Sequence, residues 1–242
     1  MDLIDIRDLY CPSRLQNVSL SFRAGEMLGV IGPNGSGKSS LLQCLASLLD
    51  YSGEILFEGK ALAEMPHRQR ARHIGYQPQS ADSAWALSVE DVVALGRLPW
   101  GDRETEAIRQ AVRQTGIEAL LDRRVDRLSG GEQARVWLAR VLAGQPRVLL
   151  ADEPIASLDL LHQRSVMDAL RAYADQGQGV MLAIHDFGLA ARYCDRLCLM
   201  CNGAVHTFGT PVEVLTETNL SEVFQVPVHV DLAANPPVVV LK

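Results

Sequence analysis

Nowhere in 242 residues does an apolar run approach the roughly 20 residues that a membrane-spanning helix needs. A secretory leader is not expected either, because MDLIDIRDLY places three aspartates where a basic start and an apolar stretch would stand. The expected location is the cytosol or the cytoplasmic face of a membrane. Basic charge is not concentrated: 23 Lys and Arg against 29 Asp and Glu are spread along the chain, for a net charge of -6. Without a basic stripe, nucleic acid is excluded as an expected partner. Internal repeats and low-complexity linkers are also lacking. Cysteine is sparse and odd in number, five in all, which points to reduced thiols. Cys194, Cys198 and Cys201 would make a metal cluster only if they converged, but Asn202-Gly203 reads as a hairpin turn that sends Cys198 and Cys201 to opposite faces of a strand.

What is present is an alternation of two kinds of segment. LQNVSLSF and GEILFEG alternate like half-buried strands near the amino end, whereas EMLGVI, RVLLAD and GVMLAI are short unbroken apolar runs, the mark of strands buried on both faces. Helical patterns separate the buried runs, so the expected fold is α/β with a mainly parallel sheet and an antiparallel β region at the amino end. Residues 81–140 read as an inserted α-helical subdomain between core segments 1–80 and 141–242, all one domain. Inside the insertion, Ser88 with Asp91 makes a capping box, and RETEAIRQAVRQT is amphipathic and stops at Gly116.

The segment GPNGSGKSS, residues 32–40, fills every fixed position of a phosphate loop, with a buried strand before it and a helix after. Its glycines let successive backbone N–H groups turn inward as an anion nest, to which the helix adds its positive end. Asn34, Gly35, Ser36, Gly37 and Lys38 are the expected phosphate cradle, with Lys38 reaching the β- and γ-phosphates. The Ser39 hydroxyl is an expected Mg²⁺ ligand, and Ser40 supports the helix start or touches the α-phosphate. RVLLADEP supplies what such a loop still needs. Asp152 at a strand end suits the magnesium role, and Glu153 beside it is placed to orient or deprotonate water.

At LSGGEQ, residues 128–133, the sequence resembles the signature of ABC-type ATPases, about twenty residues before Asp152. Ser129, Gly130 and Gly131 before a helix form a second anion site by their chemistry alone. The resemblance implies a RecA-like phosphate-loop core and ATP as nucleotide. It also implies that Ser129, Gly130 and Gly131 bind the γ-phosphate held by a second copy of the chain, so that two chains sandwich two ATP. Gln79, in preference to Gln77, resembles the glutamine that touches Mg²⁺ or the attacking water. Asp159, in Ser157-Leu158-Asp159, is similar to the loop residue that crosses the dimer interface, and His185 to the switch histidine at the γ-phosphate. Tyr10 matches the aromatic that stacks on adenine. Ser40 stands where threonine is common, and Ile155-Ala156 where Thr-Ser or Thr-Asn is common.

The further implication is an ATPase subunit docked on separate membrane permease subunits, with a substrate-binding protein as an indirect partner. Trp85 and Trp100 are candidate docking contacts. SVEDVVALGRLPW and FGTPVEVLTETNLSEVFQVPV are similar to ATPases of metal-chelate importers, the group that handles iron-siderophores, haem and cobalamin. A soluble ATPase with a nucleic-acid partner, an exporter ATPase and a non-hydrolysing nucleotide sensor are the competing readings.

Overall fold

Alternating burial along the amino end yields two antiparallel strands, β1 (Ile4–Cys11) and β2 (Leu15–Phe22), and the unbroken apolar run that follows becomes β3 (Met27–Ile31), buried throughout. The computed structural model describes residues 2–79 and 86–242. After the glycine-rich loop come α1 (Lys38–Leu45), β4 (Ser52–Phe57), the short β5 (Lys60–Ala61), α2 (His67–His73) and β6 (Ile74–Gln77). Three helices follow, α3 (Val89–Ala94), α4 (Thr105–Thr115) and α5 (Gly130–Ala143). The chain then returns to the core as β7 (Val148–Asp152), α6 (Leu160–Asp175), β8 (Gly179–Ala183), α7 (Phe187–Tyr193), β9 (Arg196–Cys201) and β10 (Ala204–Gly209). Two short helices, α8 (Pro211–Val214) and α9 (Glu217–Phe224), lead to the hairpin β11 (Val228–Asp231) and β12 (Val238–Leu241).

The main sheet has the order β10-β9-β3-β8-β7-β6, parallel from β9 to β6, with β10 antiparallel at one edge. Its strands lack alternation because both faces are covered. Leu28, Val30, Leu150, Met181 and Ala183 pack with α1 and the antiparallel sheet β2-β1-β4-β5; Leu149, Ala151, Val180 and Leu182 pack into a second core with residues of α5 and α6. Parallel strands need helical crossovers, and the crossovers supply those covers. The carboxyl ends of the parallel strands therefore meet on one rim, where Ile31 leads into the phosphate loop and Asp152 closes β7.

Between β6 and β7 the described chain is helical. Ser88 caps α3, its hydroxyl accepting from Asp91 N–H at 3.1 Å and donating to the Asp91 carboxylate at 2.8 Å. Gly116 ends α4 in a left-handed conformation, φ 61°, and α5 runs on through Ala143, past the expected boundary at 140.

Trp85 lies outside the described residues, and Trp100 corrects the docking expectation. Its Nε1–H donates to the Gly144 carbonyl at 2.9 Å, and the Arg72 and Arg97 guanidinium groups cover its ring at 4.8 and 4.9 Å. The indole is thus consumed by its own domain. At the β9–β10 turn, Asn202 and Gly203 take φ of 49° and 80°, as a tight hairpin requires. Cys198 is buried in one core while Cys201 packs against the other, and burial pushes the Cys194 and Cys198 thiols up to about 12.

Candidate active site

The loop after β3 bends inward because Gly35 and Gly37 adopt φ of 78° and 103°, which only glycine takes cheaply. Gly37 is the N-cap of α1, so the first free amides of that helix open into the loop. Lys38 is buried, with Nζ donating to the carbonyls of Gly32 at 2.8 Å and Pro33 at 3.1 Å. Burial lowers its pKa, and the nearby Glu153 and Asp152 pull the other way. Asn34 and Gly35 are exposed at the mouth of the cleft; Ser36 is buried, and its Oγ has no hydrogen-bond partner among the described residues.

Across from the loop, β7 delivers two carboxylates with different surroundings. Asp152 is only 3% exposed. Its Oδ1 accepts from Ser39 Oγ at 2.9 Å and its Oδ2 from Tyr76 O–H at 3.2 Å. Desolvation raises its pKa and outweighs those two hydrogen bonds, which act to lower it. Glu153 turns away with φ 49°. One of its oxygens accepts from Gln79 Nε2 at 2.7 Å, and the other lies 2.6 Å from His185 Nε2. Gln77, the competing glutamine, is buried in β6 with its Oε1 unpaired, so Gln79 is the one that reaches Glu153. A carboxylate held by an amide on one side and an imidazole on the other could chemically orient a water and take its proton.

Ser39 Oγ and Asp152 Oδ1 are also the fitting donor pair for Mg²⁺. They are hard oxygens on one point, and Mg²⁺ characteristically takes one or two protein oxygens and fills its other positions with phosphate and water. No group of three or more His, Cys, Asp or Glu that could hold a metal occurs among the described residues.

The cleft beside the loop is lined by Ser13, Arg14, Asn34, Gly35, Gly37, Lys38, Ser39, Ser40 and Glu153. Ser13 and Arg14, from the β1–β2 turn, carry no motif that would mark them in sequence. Tyr10 stands on β1 at 48% exposure and outside that lining. Ser129, Gly130 and Gly131 lie elsewhere, at the start of α5. Ser129 forms a full capping box with Glu132, whose carboxylate accepts from the Ser129 N–H at 2.8 Å and hydroxyl at 2.9 Å. Asp159 caps α6 by accepting from His162 N–H at 2.9 Å, and the same oxygen lies 2.7 Å from His162 Nδ1. That imidazole sits directly on Gly131, where an added Cβ would meet its ring at 2.5 Å. His162, unmarked in sequence, thus ties the two segments together.

A glycine-built anion nest on the rim of a parallel sheet, with an Asp-Glu pair closing a nearby strand, defines a phosphate-loop nucleoside triphosphatase. Comparison with known proteins narrows the class. The ABC transporter family matches across residues 15–156. The hemin import ATP-binding protein HmuV of Pseudomonas entomophila is 43% identical over 225 residues, spanning 89% of this chain and 88% of its own length. That of Pseudomonas aeruginosa is 44% identical over 219 residues, with 87% and 86% covered. Among solved structures, a metal-chelate type ABC transporter in an inward-facing conformation superposes with a TM-score of 0.83 at 25% identity, covering 96% of this chain and 92% of its own. CbiO1 of Clostridium perfringens, part of the cbiONQ complex, gives 0.80 at 31% identity, with 91% and 93% covered. The chain belongs to the ABC transporter family and is an ATP-binding ATPase subunit.

Proposed function

We propose that this subunit powers import of a metal chelate, haem in particular, through a separate permease, working as a peripheral protein on the cytoplasmic face of the membrane. The observation that carries the hydrolytic part is the fixing of Glu153 between Gln79 and His185 at the edge of the phosphate loop. The hemin-import relatives at 43% and 44% identity support the cargo.

In this reading ATP lies along the loop, with Lys38 on the β- and γ-phosphates and the loop amides around them. Bound Mg²⁺, held by Ser39 and Asp152, would neutralise charge on the phosphates. Glu153 orients a water towards the γ-phosphate and holds its proton, while Gln79 and His185 fix the carboxylate in place. Ser129, Gly130 and Gly131, remote from this cleft, serve the ATP of a second copy, and Asp159 reaches across the same interface. Tyr10 is the candidate for the adenine face.

A groove between β6 and the helical segment, lined by Ile74, Tyr76, Leu95, Pro99 and Val141, is the candidate seat for a cytoplasmic helix of the permease. Leu98, 69% exposed, stands next to it in the chain. No helix of the described residues is long and apolar enough to cross a membrane, which supports a separate subunit for that task.

The decisive experiment is uptake of radioiron-labelled haem by cells lacking this chain and complemented with wild type or Glu153→Gln. Restoration by wild type alone supports the reading; normal uptake without the chain ends the haem assignment. Recovery of a polytopic membrane protein in stoichiometric amount with tagged Glu153→Gln in Mg-ATP tests the permease separately.

A further inference from the structure

The turn between β1 and β2 carries a cation with no part in the scheme above. Arg14 N–H donates to the Cys11 carbonyl at 3.0 Å, closing a tight turn in which Ser13 adopts φ 59°. The turn is fastened on two sides. A Cβ on Gly37 of the phosphate loop would lie 3.0 Å from the Arg14 carbonyl oxygen, and a Cβ on Gly203 of the β9–β10 turn would lie 2.7 Å from it. Gly203 N–H in turn donates to the Ser36 carbonyl at 3.0 Å, and Gln16 N–H donates to the Gly203 carbonyl at 2.8 Å. The Arg14 backbone is therefore wedged between two glycines, and its position is set by the phosphate loop itself.

From this anchorage Arg14 lines the cleft together with Asn34, Gly35, Lys38, Ser39 and Ser40. Several arginines elsewhere in the chain are committed to carboxylates: Arg97 pairs with Asp102 and Glu104, Arg171 with Asp175 and Asp195, Arg196 with Glu26. Arg14 is exposed and makes no ion pair among the described residues. An unpaired guanidinium carried on a fixed backbone at the rim of an anion nest offers a fork of donors to phosphate oxygens, a chemistry that suits arginine better than lysine.

We propose that Arg14 is a nucleotide-binding residue whose guanidinium takes oxygens of the α- or β-phosphate, supplementing Lys38 in the same cleft. The proposal rests on the ATP-binding reading of the same cleft. Its ligand is the phosphate chain, not the base, so inorganic tripolyphosphate should feel Arg14 as strongly as ATP does.

Titration calorimetry on the full chain, with Mg-ATP and with Mg-tripolyphosphate, tests this on wild type, Arg14→Ala, Arg14→Lys and Lys38→Ala. The side chain is exposed, so Arg14→Ala should keep the wild-type circular dichroism spectrum and melting temperature. Loss of one charge-assisted hydrogen bond should weaken both ligands on the order of tenfold or more, with Arg14→Lys recovering part of the loss and added salt shrinking the difference. In steady state, KM for ATP should rise by a similar factor while kcat changes much less. The proposal is overturned if Arg14→Ala binds ATP within twofold of wild type, or if its loss is confined to ATP and spares tripolyphosphate. Tight ATP binding by wild type that Lys38→Ala abolishes would keep the ATP-binding reading intact in either case. A wild type that binds no nucleotide would remove that reading, and the assignment of Arg14 with it.

Discussion

Asp152 bears a cost that the magnesium role proposed for it would explain. Burial raises its pKa above the unfolded value, so its favourable contribution to stability is complete below the unfolded pKa and is lost as pH rises through the folded one. At neutral pH the nucleotide-free fold therefore carries a penalty for a buried charge. Asp152→Asn should remove that penalty, raising the melting temperature at pH 7 by a few degrees, a gain that shrinks as pH falls towards about 4. Turnover should be lost at the same time; thermal melts across pH beside a phosphate-release assay measure both. Glu153→Gln should keep the contacts with Gln79 and His185 in shape but accept no proton. Its turnover is expected to fall by about 10² to 10⁴ with ATP affinity retained, and phosphate release near the wild-type rate would contradict the role given to Glu153. At this scale the sequence showed which residue types gather at the loop. It favoured Gln79 over Gln77 through a family resemblance alone, because the physical choice depends on where β6 stops and the chain turns towards Glu153.

The elements were legible where a periodic pattern was complete. β3, β7 and β8 announced themselves because both faces are buried, which erases alternation, and Leu150→Ala in β7 should cost about 2–5 kcal/mol in urea unfolding. Leu161→Ala, at a site 75% exposed, should shift stability by no more than about 0.5 kcal/mol. Contacts between distant elements were not legible. Trp100 was a candidate docking contact in the sequence because two of the groups that engage it, the Arg72 guanidinium and the Gly144 carbonyl, lie far away in the chain. The contact of His162 with Gly131 likewise joins α5 to α6 with no local signal. Gly131→Ala should force the imidazole off the helix start and cost about 1–3 kcal/mol in the same unfolding assay. Because His162 also holds Asp159, the variant should lose turnover by more than its stability loss accounts for.

Among the described residues, Ser129, Gly130, Gly131 and Asp159 lie outside the lining of the phosphate cleft. Beside Asp159, Leu160 and Leu161 are 84% and 75% exposed, an apolar pair that a second copy would cover. Light scattering should therefore find Glu153→Gln as a dimer in Mg-ATP and a monomer without it. Ser129→Arg should bind ATP as a monomer yet neither dimerise nor hydrolyse; loss of ATP binding by that monomer would sink the arrangement in trans. The signature residues were readable because their pattern is local, whereas the distance between them and the cleft is a property of the folded chain alone.

Glu153 occupies a left-handed backbone conformation, φ 49°, that costs a residue with a side chain roughly 1 kcal/mol and glycine almost nothing. A lineage selected only for heat resistance would thus have a reason to drift to glycine at 153, and a lineage that must keep hydrolysing would not. On the water-orienting role proposed for Glu153, a descendant released from hydrolysis would keep the strain and lose the reason for bearing it, so glycine at 153 would be an expected mark of that release.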